Sequence, residues 1–201
     1  MNSPHTPTRA RRRYRARAAA PLLFALCLCP AFASVASAQR SREHLTPEEI
    51  ELVRDNQVLD ARTGVFIKAA ERRLLAVTKP AEAAQAAAKE KEKWGEVKGT
   101  RAQLFYDISK ILDEAVVNVD DVASHDPDSP LLRKSLYMLG QAAGRILPEL
   151  TKLREGVTEE AEADQLDRAL EAAKEIAEAA RERGVNAEDL KAKAKAAKKD
   201  N

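Results

Sequence analysis

Cysteine is the first thing this chain lacks. Its only two, Cys27 and Cys29, sit near the N-terminus, and none follows. Past that point there is no disulfide framework, no thiolate nucleophile, no Cys-based zinc site and no Cys-x-x-Cys-His haem attachment. Aromatics are scarce at 4% of residues. No His-Glu-x-x-His or Glu-x-x-His spacing is present, which removes the usual ligands of a metalloprotease or a di-metal bundle. Neither a Walker loop, a dinucleotide fingerprint nor a G-x-S-x-G elbow occurs. Serines and threonines are few, and most have a capping explanation. The carboxylate pairs lie on Glu-rich helical faces, where solvation is their ordinary role. These absences together read as a non-catalytic protein with no cofactor.

What is present begins with an export signal over residues 1–38. Arg9, Arg11, Arg12, Arg13, Arg15 and Arg17 form a basic n-region. The apolar core Leu22–Cys29 follows, Pro30 breaks it, and Ala36-Ser37-Ala38 reads as an A-x-A cleavage site. The apolar run is too short for a span of roughly 20 residues. Leu26 and Leu28 stand where a lipoprotein needs a small residue before its cysteine, and Arg15 departs from the twin-arginine pattern around Arg11-Arg12-Arg13-Tyr14. Ordinary secretory cleavage is therefore the expectation, with a periplasmic or secreted destination.

Cleavage reverses the charge. The full chain carries 34 Lys and Arg against 32 Asp and Glu, a net +2. With the six signal arginines gone, 28 basic residues face the same 32 acidic ones, a net −4. A mildly acidic chain has no general attraction for nucleic acid. The one basic concentration is the tail over 191–201, where Lys191, Lys193, Lys195, Lys198 and Lys199 interleave with alanine and no aromatic offers base stacking. Lysines there suit a helix C-terminus.

Residues 39–190 read as one domain. The composition favours helix, and no strand is predicted. Thr46, Pro47 and Glu49 make a capping box with proline at the first helical position, and Leu45 and Ile50 form a hydrophobic staple. Ile50, Val53, Leu59, Phe66, Ala70, Leu74 and Val77 then recur on one face up to a stop at Pro80, interrupted by Gly64, which either splits the helix or allows a close crossing. Residues 81–94 have high helix propensity but no large apolar side chain before Trp94, which predicts a helix with little of it buried. Thr100 and Gln103 form a second capping box. Leu104, Ile108, Ile111, Ala115, Val119 and Val122, widened by Phe105, Leu112 and Val116, predict a helix with more than one neighbour. Ser129 as N-cap and Pro130 open a helix bearing Leu132, Leu136, Leu139, Ala143, Ile146, Leu150 and Leu153, with a kink at Pro148 and an end at Gly156. After Thr158, Leu166, Leu170, Ala173, Ile176, Ala177 and Ala180 mark a fourth long helix ending at Gly184. Asn186 caps a short final helix, with Val185 and Leu190 as its staple. The fold expected is all-α: an antiparallel bundle of about four long helices plus a short C-terminal one.

Three further features are candidate sites. Asp120, Asp121, His125, Asp126 and Asp128 could in principle hold a divalent cation, but the EF-hand ligand order is missing and a solvated loop is the stronger reading. Gly140 and Gly144 form a G-x-x-x-G on an amphipathic helix, which suits close packing within the bundle. Tyr106 and Tyr137 could line an interhelical cleft or sit at the core edge with hydroxyls in water. The opening Leu45-Thr46-Pro47-Glu48-Glu49 resembles the Leu-Thr element of small helical periplasmic chaperones of the Spy and CpxP type. The resemblance covers five residues, and the basic concave surface it implies contrasts with the acidic mature chain. The function expected is that of an exported binding or scaffolding module of the bacterial cell envelope, with a protein partner. A periplasmic chaperone and a small-ligand or metal-binding bundle are the alternatives.

Overall fold

A computed structural model describes residues 43–184. The signal segment, the staple pair Val185 and Leu190, the cap Asn186 and the lysine tail lie outside the described residues. Within them the chain is all-helical: α1 (Pro47–Asp55), α2 (Leu59–Thr78), α3 (Pro80–Trp94), α4 (Arg101–His125), α5 (Pro130–Arg154) and α6 (Glu160–Glu182).

Four of these form the body. α2 packs on α4 and α5, and α6 packs on the same two helices, while α4 and α5 meet only marginally across the diagonal. Side-chain pairs give the directions. Arg62 meets Asn118 and Arg73 lies beside Asp107, so α2 and α4 are antiparallel. Arg154 meets Asp167 and Gly140 faces Ala180, so α5 and α6 are antiparallel too. Lys134 bonds Asp60 and Arg145 bonds Glu71, so α2 and α5 run parallel as neighbours. Consecutive long helices thus alternate in direction, and the short link over 126–129 crosses the bundle diagonal. The broad apolar stripe of α4 has its explanation here, because α4 buries surface against both α2 and α6.

The core is aliphatic, with Phe66 and Phe105 as its two fully buried rings. Ile108, Ile111, Leu112, Ile146, Leu150 and Leu166 are equally enclosed. On α6 the buried positions include Ala169, Ala172, Ala173 and Ala180, and small side chains let the neighbouring backbones approach.

Several local expectations are corrected. The break in the first helical stretch falls at Asn56–Val58, where Asn56 folds its side-chain amide onto the Leu52 carbonyl at 2.7 Å. Gly64 lies inside α2 as a crossing point: a Cβ there would sit 3.6 Å from the Met138 methyl on α5. Ser129 precedes Pro130 but makes no capping hydrogen bond through its side chain. α6 starts from Glu159, again without a side-chain cap. Both predicted capping boxes form, at Thr46/Glu49 and at Thr100/Gln103. Pro148 is accommodated within α5. Proline offers no N–H to the carbonyl four residues back, at Gly144, and both residues are exposed, so water can serve that carbonyl.

Candidate functional site

α1 and α3 lie outside the four-helix body, packed on α2 and on each other. Charged side chains are buried where they meet. Glu49 is fully enclosed, Arg73 is 2% exposed and Asp107 1%. Isolated charges at such positions would be expelled or neutralised, so their partners decide whether they are tolerated.

Glu49 is the hub. One carboxylate oxygen accepts from the Thr46 backbone N–H at 2.9 Å, as the capping box requires. The other accepts from both Arg72 and Arg73, the Arg73 bond being 2.5 Å. Each arginine then reaches a backbone. Arg72 donates to the carbonyls of Trp94 at 2.9 Å and Gly95 at 2.6 Å, the C-terminal end of α3. Arg73 donates to Ala69 O at 3.1 Å and to His44 O at 2.8 Å, in the segment leading into α1. The Thr46 hydroxyl accepts from Glu49 N–H at 3.1 Å and donates to Trp94 O at 2.8 Å. One carboxylate therefore ties the start of α1, the middle of α2 and the end of α3 together.

Trp94 completes this junction. Its ring is 6% exposed, with the Lys68 ammonium 4.5 Å from the ring centre and the Arg72 guanidinium 5.6 Å from it. Lys68 also pairs with Glu90 one helical turn before the tryptophan, at 2.8 Å. That bond holds the Glu90 carboxyl below the usual carboxylate range. Gly95 follows with φ +66°, and a Cβ there would lie 2.0 Å from a Glu48 carboxylate oxygen and 2.8 Å from the Thr46 hydroxyl. Only glycine fits both the left-handed backbone and the space. His44 lies at the edge of the junction, its Nε2 2.7 Å from Glu114 on α4.

Two hollows flank the junction. A groove of about 300 Å³ runs between α2 and α3, floored by Leu75, Ala76, Ala83 and Ala87. A second hollow, of about 400 Å³, opens between the α1 start, the 95–98 segment and α4; Arg73 and Asp107 line it. Their closest charged atoms, Arg73 Nε and Asp107 Oδ2, are 4.0 Å apart, and the buried Nε has no hydrogen-bond partner.

The features singled out from sequence are arranged differently. Asp120, Asp121, His125, Asp126 and Asp128 are all exposed. His125 Nδ1 lies 2.7 Å from the Asp121 carbonyl and 3.6 Å from its carboxylate, and no cluster of three potential metal ligands occurs among the described residues. Tyr106 and Tyr137 do not share a cleft. Tyr137 stands level with the region around Asn118 of α4, about 18 Å along the axis from Tyr106 at 1.5 Å per residue. Both are partly exposed, at the core edge. The G-x-x-x-G divides: Gly140 is packed so closely that a Cβ would lie 2.5 Å from that of Ala180, while nothing stands within 4 Å of one at Gly144.

The buried charge junction was legible only as the capping box at Thr46 and Glu49. Its further signal lies in register. Arg73 falls three residues after Ala70, and Asp107 three after Leu104, so both charges occupy core-facing positions on otherwise apolar stripes. Set against protein-family models, curated proteins and solved structures, the chain matches none of them significantly.

Proposed function

We propose that this protein is an exported, non-catalytic binding or scaffolding module of the bacterial cell envelope, and that α3 is the face it offers to a protein partner. The observation that carries this reading is the way α3 is held. Of its fifteen residues only Trp94 is buried. The body gains little core from such a helix, yet buried Glu49 and Thr46, with half-buried Arg72, fix its end in place. Burying charges to position a weakly packed helix makes sense when the helix presents a surface. Its outward residues include Glu82, Lys89, Glu92 and Lys93, which suits a polar protein surface rather than a lipid one. No helix among the described residues is long and apolar enough to cross a membrane. The export pattern before Gln39 supports the envelope location.

Cell fractionation with N-terminal sequencing tests the address; the expected product begins at Gln39 in an exported fraction. Photo-crosslinkers at Lys89 and Glu92 test the face, with Glu178 on α6 as the control. A discrete adduct from the α3 positions alone supports the reading. Equal labelling from α3 and α6, or a cytoplasmic precursor that is never processed, overturns it.

A further inference from the structure

Sulfur is rare in this chain, and the described residues hold a single sulfur atom, that of Met138. We infer that Met138 is a reversible oxidation site, where a peroxide converts the thioether to the sulfoxide while the bundle stays folded.

Three observations lead there. Met138 stands on α5 at the edge of the core, half-buried rather than enclosed. A methionine inside a core is shielded from oxidants, and its sulfoxide disrupts the packing around it. Second, the residue opposite on α2 is Gly64, also half-buried. A Cβ there would lie 3.6 Å from the Met138 methyl and would meet no other atom of a neighbouring element within 4 Å. The glycine thus leaves space beside the thioether, at the protein surface. Third, ion pairs clamp this crossing on both sides. Lys134 pairs with Asp60 one turn before Met138 and Gly64, and Arg145 pairs with Glu71 two turns beyond them, at 2.7 Å. An oxygen added between the clamps changes the contact locally and leaves α2 and α5 joined.

The chemistry needs only the thioether and the peroxide. A sulfur lone pair attacks one peroxide oxygen, and the S–O bond forms as the O–O bond breaks. The departing hydroxide takes the proton from the transferred oxygen and leaves as water. Sulfur gives up two electrons and the peroxide gains them. The new oxygen is polar and needs water or a donor. At a half-buried position it turns into the space beside Gly64, where water reaches it. The same exposure leaves it open to the two sulfoxide reductases, one for each sulfoxide epimer, which restore the thioether.

The inference goes beyond the proposed partner face and is tested separately from it. The whole mature chain is treated with hydrogen peroxide, mass-spectrometric peptide mapping locates the added oxygen, and circular dichroism follows the fold. One oxygen is expected on the Met138 peptide, at a rate within about tenfold of free methionine, with the native spectrum kept. Both reductases together are expected to remove it from the folded protein. Gly64→Ala places a methyl in the space beside the thioether and is expected to slow oxidation by at least about twofold. Should Gly64→Ala not fold, the wild-type oxidation and its reversal still decide. Oxidation of Met138 only after unfolding in urea, a sulfoxide that unfolds the bundle or resists both reductases, or an unchanged rate in folded Gly64→Ala overturns the site. Neither result bears on crosslinking from α3, so the two readings fail independently.

Discussion

Glu49→Ala is the sharpest test of the junction. The carboxylate accepts from three donors, Arg72, Arg73 and the Thr46 backbone, inside a site that water does not reach. Truncation leaves Arg73, at 2% exposure, facing a methyl group, with Arg72 half-deprived beside it. Removing one partner of a buried pair typically costs about 3–5 kcal/mol. Loss of the capping-box return bond adds about 1 kcal/mol at most. With a urea slope of about 2 kcal/mol/M for a domain of this size, the midpoint should fall by about 1.5–3 M. Urea unfolding followed by circular dichroism reads it directly. A companion, Glu49→Met with Arg73→Met, should recover much of the loss, because a buried pair replaced by apolar side chains is often close to neutral. A Glu49→Ala cost below about 1 kcal/mol, the range of exposed ion pairs, would refute the claim that this carboxylate holds the junction.

Three further outcomes follow from other parts of the fold. Gly144→Ala should stabilise by about 0.5–1 kcal/mol through helix propensity, whereas Gly140→Ala should destabilise by about 1–3 kcal/mol because its Cβ meets that of Ala180; equal shifts in melting temperature would deny the close α5–α6 approach. Asp60 has a carboxyl held below the ordinary aspartate range by its bond to Lys134, so the pair stabilises above the unfolded value near pH 4 and its contribution is lost as pH falls through the lower folded value. Asp60→Asn should therefore destabilise at pH 7 and change little near pH 2; a uniform effect at both pH values contradicts this. Hydrogen exchange should show α3 amides before Trp94 exchanging well ahead of those in the middle of α4, because α3 buries only its last residue; matched protection would show that α3 opens only with the body.

The four long helices were readable because their apolar residues recur at helical spacing over many turns, and a long periodic stripe leaves little choice of face. Leu104, Ile108, Ile111, Ala115 and Val119 became core as spaced. The two capping boxes were readable because their chemistry is local to four residues. The break at Asn56–Val58 was not, since no glycine or proline marks it and a side-chain bond from Asn56 makes the stop. Arg72 and Arg73 looked like an ordinary charged pair within α2. Their role depends on Glu49, 23 and 24 residues away, and on the carbonyl end of α3, and no local pattern encodes that meeting.

The topology gives one more reason to treat α3 as a presented element. α2 and α4 are adjacent and antiparallel, a geometry that a link of about 2–8 residues closes. This chain uses the 22 residues between Thr78 and Arg101, and most of them form α3. The excursion is not needed to turn the chain around, and among α3 residues it contributes only Trp94 to the buried set. Replacing residues 79–99 with a short Gly/Ser linker should leave the four-helix body folded and cooperative. Its stability should fall by about 3–5 kcal/mol, the scale of losing one buried tryptophan, with Arg72 solvated rather than stranded once the end of α3 no longer covers it. Far-UV circular dichroism and urea titration decide between the outcomes. A variant that melts without a cooperative transition would show that α3 is structural after all, and the reason for reading it as a binding face would go with it.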